Sequence, residues 1–381
     1  MAEVSTPLGT PDDGFPVLSL VPGQDHAMSF LRQAAARPHH AYVLAGPEGG
    51  GKQQAARAFA AALLCSQGGC GTCRDCRLAL QDKHPNEVVV EPEGRDIHVD
   101  TVRADVWHPA YRTAPEPGRK VFVIREADRL NPAAADVLLK VLEEPPADTV
   151  LLLLSARPDE LPETVMSRCH VVSFGPLSEP FVVETLVEEG VDPDRAALAA
   201  RLAGGNLGRA RRLASEQEGI GFRETSIQAL EAARRGGAGA VEAAALVLEA
   251  AERYRKDLDA RLADELTPFL DDRGRAEDAY RGAIRRIEER HKRLVRRAER
   301  DYADRVLMGV SALLRDTVAV SVGSGPEMLM NPDVGAAPGG LAPATKAMAA
   351  VEEARAALAE DLNLNTRMVI EQAFLRVGSA S

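Results

Sequence analysis

The stretch YVLAGPEGGGKQQAARAF, Tyr42 to Phe59, decides the fold. The apolar run Tyr42 to Ala45 reads as a strand, Gly46 to Gln53 as a loop, and the residues from Gln54 as a helix. Strand, glycine-rich loop and helix in that order form the context in which a loop holds nucleotide phosphates. Gly46, Gly49 and Gly51 leave backbone N–H groups free to face an anion, and Lys52 adds an ammonium. The next position calls for a Ser or Thr hydroxyl on Mg²⁺, and it is Gln53. The phosphate cradle is kept while one metal ligand is missing.

A second nucleotide motif requires four apolar residues followed by Asp-Glu. The chain has Val121-Phe122-Val123-Ile124-Arg125-Glu126. Arg125 brings a positive charge to the place of the aspartate that supports the metal, and Glu126 stands where the attacking water would be oriented. Gln53 and Arg125 together remove both protein contributions to the metal site. Very slow hydrolysis is expected, and nucleotide binding without turnover stays open. In a register displaced by one or two residues Asp128 becomes the working acid, but it would then fall beyond the strand, in the following turn.

A length of 381 residues exceeds one compact core and implies two or three domains. Few aromatics, at 4%, with abundant Ala and Leu favour a helix-rich architecture. The net charge of −11 excludes a protein that coats nucleic acid by bulk electrostatics, though a local basic surface remains open. No apolar stretch is long enough to span a bilayer. The start, MAEVSTPLGTPDDGFP, lacks an apolar signal core, so a cytoplasmic location is expected.

Along the chain, residues 1–15 read as disordered. Helices are expected at 26–36, 54–65 and 132–142, and strands at 42–45, 87–91, 120–124, 149–154 and 170–174. The alternation predicts a parallel sheet with helices on both faces, over residues 16–177. Residues 178–215 read as a small helical lid, broken at Gly190-Val191-Asp192-Pro193 and at Gly204-Gly205-Asn206. Residues 216–381 read as all-helical. They include one long amphipathic helix at 276–320, a Gly/Pro-rich flexible insertion at 323–345 and a final helix pair at 348–362 and 365–375.

Cys65, Cys70, Cys73 and Cys76 lie in a C-x4-C-x2-C-x2-C pattern with glycines between them. Four thiolates this close can surround one tetrahedral Zn²⁺, and four protein ligands leave no open position, so the zinc is structural. Reduced, metal-free cysteines and an iron–sulfur cluster are the other readings. Ser167-Arg168-Cys169 precedes the last strand, and an arginine there can either project towards a neighbouring subunit's γ-phosphate or remain a solvated charge.

The run Asn131 to Pro146, NPAAADVLLKVLEEPP, closely resembles the signature of bacterial clamp-loader subunits. The cysteine cluster after the phosphate loop, the turn Ser155-Ala156-Arg157-Pro158 and the triplet Ser167-Arg168-Cys169 go with it. The resemblance covers residues 20–215 and is weak beyond them. Within that family the chain looks most like the delta-prime branch, in which the nucleotide site is degenerate. The Ala/Arg-rich composition suggests a high-GC actinobacterial source.

The resemblance implies an α/β AAA+ module with a helical lid, and a C-terminal helical collar that joins five subunits in a ring. The implied partners are gamma/tau and delta subunits, with the sliding clamp and primer–template DNA reached through the assembly. It implies a non-catalytic part of a DNA polymerase holoenzyme. Arg168 would then act as an arginine finger on the ATP of an adjacent motor subunit. Ser155 would be a nucleotide sensor, Arg209 a second sensor in the lid, and Gly23-Gln24 the border of the adenine, with ATP or ADP as the nucleotide. An active gamma/tau-type motor is the rival, and it calls for Ser or Thr at 53 and Asp at 125. A stand-alone zinc-module DNA-binding protein calls for a basic face around the cysteines, yet Arg74 and Arg77 are offset by Asp75 and Asp82.

The helix 276–320 also carries Arg285, Arg286, Arg290, Lys292, Arg293, Arg296, Arg297 and Arg300. These could meet phosphates, or form a solvated face balanced by Glu288, Glu289, Glu299 and Asp301. At about 45 residues and ~1.5 Å rise per residue the helix is long enough to leave the collar as a partner-binding arm.

Overall fold

The structure, a computed structural model, describes residues 15–92, 96–215, 219–264, 281–334, 340–360 and 365–380. Most of the N-terminal segment expected to be disordered lies outside these residues, as do positions 276–280 and 361–364. No described helix is long and apolar enough to cross a membrane.

Five strands form one parallel sheet: β1 (Ala41–Ala45), β2 (Glu87–Val90), β3 (Lys120–Ile124), β4 (Thr149–Ser155) and β5 (His170–Ser173), in the order β2-β3-β4-β1-β5. The three inner strands are buried at every residue. A parallel sheet covered on both faces demands such continuous apolar runs. Alternate residues then serve opposite layers. Tyr42, Leu44, Val121, Val123, Leu152 and Leu154 pack with α1 (Asp25–Ala36) and the alanine-rich α2 (Lys52–Leu64). Ala41, Val43, Phe122, Ile124, Leu151 and Leu153 face the other layer, which includes α6 (Pro132–Glu143). That helix is started by Asn131, whose side chain accepts from Ala134 N–H at 2.8 Å, with Pro132 in its first turn. The parallel α/β module with helices on both faces, expected over residues 16–177, is therefore present. Its registers pair Ala45 with Ser155 and Ser173, and Val90 with Ile124, so these carboxyl ends line one edge of the sheet, where ligands of such sheets bind.

Three short helices between β1 and β3 escaped the sequence reading: α3 (Arg74–Ala79), α4 (Val99–Val102) and α5 (His108–Ala110), the last two joined by a π turn. On the other side of β4, α7 (Glu163–Met166) leads into β5. Then come α8 (Glu179–Glu188), α9 (Pro193–Ala203) and α10 (Leu207–Ala214).

The chain divides into two compact units. One comprises the residues through Glu188 together with Ala203–Arg209, and the other comprises Glu189–Leu202 and the chain from Ala210 onward. The second is helical, with α11 (Gly219–Ala233), α12 (Gly237–Asp264), α13 (Arg281–Ser321), α14 (Leu341–Glu360) and α15 (Thr366–Ala380). Its own core includes Phe222, Val247, Tyr302, Val306, Val310, Val351 and Phe374. Of the flexible insertion expected at 323–345, positions 335–339 lie outside the described residues, and parts of the rest are ordered. The fully buried Asp316 accepts from the backbone N–H groups of Met330 and Asn331, each at 2.8 Å, and α14 already begins at Leu341.

Candidate functional site

The glycine loop is fitted tightly to its surroundings. At Gly46 (φ +146°) a Cβ would stand 2.0 Å from the Phe174 carbonyl oxygen, and at Gly49 (φ +75°) 2.0 Å from Asn206 Cγ. Gln24 staples the loop to the chain after β5. Its Nε2 donates to Gly50 O at 2.9 Å and to Gly175 O at 2.7 Å, while its Oε1 accepts from Gly175 N–H at 3.3 Å. Lys52, at the start of α2, folds back over the loop and donates to Gly46 O at 2.5 Å and Pro47 O at 2.8 Å. Burial lowers its pKa, against the pull of Glu48 and Asp128. The predicted cradle residues are thus gathered in one place.

Beside them, Gln53 and Arg125 meet in one network of charged side chains. With its amide oxygen towards two guanidiniums, Gln53 accepts from Arg125 Nη2 at 2.7 Å and Arg57 Nη2 at 3.2 Å. Arg57 Nε reaches both oxygens of Asp82, at 3.0 and 2.9 Å, and Arg125 Nη2 reaches Asp82 at 2.6 Å. Arg125 Nη1 also pairs with Glu91. Burial works against ionisation of Asp82, but the bonds and charge of Arg57 and Arg125 win and leave its pKa below the ordinary value. Glu87 lies next to this group with both carboxylate oxygens buried and unbonded. Burial, then the charge of Asp82, pushes its pKa up to about 8. The two guanidiniums are matched by the carboxylates of Asp82 and Glu91, so the group is held together by its own ion pairs.

The remaining nucleotide-site residues are tied to the protein itself. Glu126, in a left-handed conformation (φ +49°), is half exposed and pairs with Arg129 Nε at 2.9 Å. Asp128, the alternative acid, sits in the short turn after β3 and accepts from Ser155 Oγ at 2.8 Å and Arg157 Nη2 at 3.2 Å. Ser155 ends β4 fully buried. Arg209 bonds at the start of α10, its N–H to Asn206 Oδ1 at 2.9 Å and its Nη1 to Ala203 O at 3.4 Å. Arg168 follows α7, partly exposed, and is held by Glu143 Oε1 at 2.8 Å and Thr164 O at 2.9 Å.

The four cysteines converge. Their sulfurs all lie within 4.8 Å of one another, with Cys65–Cys73 at 3.7 Å and Cys65–Cys70 at 3.9 Å. Sulfurs ~2.3 Å from a tetrahedral ion would stand about 3.8 Å apart, so the set fits Zn²⁺. Backbone N–H groups of Gln67, Gly71, Cys73 and Cys76 point at the sulfurs, at 3.3–3.4 Å. Such donors favour thiolates. Hydrogen bonds from Thr72 and Cys73 bring Cys70 down to about 6, whereas burial pushes Cys76 up.

Sequence reasoning missed Arg57, Asp82, Glu87 and Glu91. The available signal was a charged residue inside the alanine-rich α2 and another opening β2.

Residues 23–178 match the family described as DNA polymerase III, delta subunit. The delta' subunit of DNA polymerase III from Pseudomonas aeruginosa is 40% identical over 207 residues, covering 51% of this chain and 61% of that protein. Its counterpart from Bacillus subtilis is 35% identical over 169 residues, covering 44% and 51%. The tau subunit from Salmonella typhimurium is 32% identical over 225 residues, covering 56% and 35%. The chain thus spans about half to three fifths of the delta' relatives it matches. Among solved structures, a gamma subunit-related protein from Thermotoga maritima aligns over 93% of this chain and 99% of its own, with 16% identity and a TM-score of 0.46.

Proposed function

From the premise that residues 23–178 belong to the DNA polymerase III delta-subunit family, we propose that this chain is the non-hydrolysing, delta-prime-type subunit of a bacterial clamp loader. The observation that carries the reading is the Gln53–Arg57–Asp82–Arg125 network, which fills the metal position with the chain's own charges. Without a divalent ion, charge on the departing phosphates goes unneutralised and turnover is lost, whether or not ATP or ADP still enters the loop.

In this reading the chain works through Arg168. Its guanidinium exchanges Glu143 for the more highly charged γ-phosphate on a gamma/tau neighbour, a stronger charge-assisted partner. Ser155, Glu126 and Arg209, each bonded within the chain, then serve as structural supports. One Zn²⁺ held by Cys65, Cys70, Cys73 and Cys76 would pin the excursion between α2 and β2, and with four thiolates it would have no catalytic position. The helical unit joins gamma/tau and delta subunits in a five-membered ring that places the sliding clamp on primer–template DNA in the cytoplasm.

The test is Mg²⁺-dependent ATP hydrolysis, by the isolated chain and by a reconstituted loader. The isolated chain should stay at background. Arg168→Ala should slow the one site it serves by about 10³-fold or more and lower the loader's DNA-stimulated turnover accordingly. Robust turnover by the isolated chain would instead support the gamma/tau-type motor. A loader indifferent to Arg168→Ala would remove the finger.

A further inference from the structure

The core of the helical unit draws on α12 only as far as Tyr254 and on α13 only from Tyr302. Beyond those points the two helices continue side by side in opposite directions. Arg255 Nε donates to Glu299 at 2.7 Å, and further out Asp259 and Ala263 share a cleft with Glu288, His291, Lys292, Val295 and Arg296. Leu262, His291 and Ala298 are buried along this seam. The pair is a two-helix arm added to the bundle.

The charge of its α13 half is lopsided. Between Arg281 and Arg300 there are nine Arg or Lys residues, against Glu288, Glu289 and Glu299, in a chain whose net charge is −11. Glu299 is already matched by Arg255, and the exposed Asp301 lies near Arg305, Arg300 and Arg297. Arg286, Arg290, Arg293, Arg297 and Arg300 recur at steps of four and three, so the α13 backbone places them in one column about 21 Å long. Lys292 and Arg296, beside that column, are exposed. A length of ~21 Å matches about six base pairs at ~3.4 Å rise along one strand.

We propose that the α12–α13 arm binds the phosphate backbone of duplex DNA, independently of sequence. A protein partner would need an apolar centre to its patch, and among the described residues of this stretch the large apolar side chain that is well exposed is Leu294. A polyanion needs only the row of charge, and each phosphate neutralised releases counterions. The inference rests on the arm alone and is independent of Arg168.

The experiment is fluorescence anisotropy of the full-length chain with a labelled 25-base-pair duplex across a salt series. It compares wild type, Arg168→Ala, and the double variants Lys292→Glu/Arg296→Glu and Lys292→Gln/Arg296→Gln, with circular dichroism to verify folding. Wild type and Arg168→Ala should bind alike. The charge reversal should weaken binding at least ten-fold and flatten the slope of log K against log salt by about 2, the glutamine pair moving the same way by less. Equal affinity and slope in wild type and both double variants would overturn the proposal. So would tighter wild-type binding to a polyglutamate peptide than to the duplex, which would make the arm a site for acidic protein.

Discussion

Gln53 and Arg125 do more than omit a hydroxyl and a carboxylate. Together with Arg57 and Asp82 they form the network proposed to replace the ion, and each charge in it has a partner. Glu87 is the exception, buried against the network with no bond to either oxygen. Its folded pKa, raised from 4.5 to about 8 by burial and by Asp82, means that the native chain keeps a proton the unfolded chain has released. Stability should therefore fall as pH rises from about 4.5 to about 8, and level off above. Glu87→Gln removes that slope. It should raise the melting temperature by about 10 °C or more at pH 8.5 and by no more than about 3 °C at pH 5, at roughly 1.4 kcal/mol per pH unit and 2–4 °C per kcal/mol. An unchanged difference at both pH values would place Glu87 in contact with water. The two substituted motif positions were legible in the sequence because motif spacing names them. Their partners were not, since Asp82 stands 25 residues from Arg57 and 43 from Arg125, and nothing local says which charges meet.

At the scale of elements, the strands were legible because a sheet buried on both faces leaves unbroken apolar runs, as in Val121 to Ile124 and Val150 to Leu154. Helices α3 to α5 were not, because three to six residues are too few to show a 3.6-residue period. At α14, Pro343 belongs to the Gly/Pro-rich run read as flexible, yet it falls in the first helical turn, where a missing N–H costs nothing. The phosphate loop offers a sharper test of fit. Gly46→Ala forces a Cβ against the backbone of Phe174, which cannot rotate away, at a φ that side chains avoid. A destabilisation of more than about 2 kcal/mol in urea denaturation is expected. Wild-type stability in that variant would mean that β5 and the loop can separate freely.

At the scale of the whole molecule, the two units keep separate cores. The sheet layers and the cysteine cluster lie in the first, and the α11–α15 core lies in the second. Calorimetry should therefore resolve two transitions. Elemental analysis should find one zinc per chain, and a strong chelator should lower the transition of the first unit and spare the helical one. A chelator without effect on either would leave the four thiols as a metal-free cluster. The cysteine spacing announced this site from sequence, whereas the split of residues 189–209 between the two units follows from long-range packing that no local pattern encodes. The network around Gln53 has one more consequence. If the network replaces the ion as proposed, the loop takes no cue from the cell's free magnesium, and its timing comes from the molecules it touches.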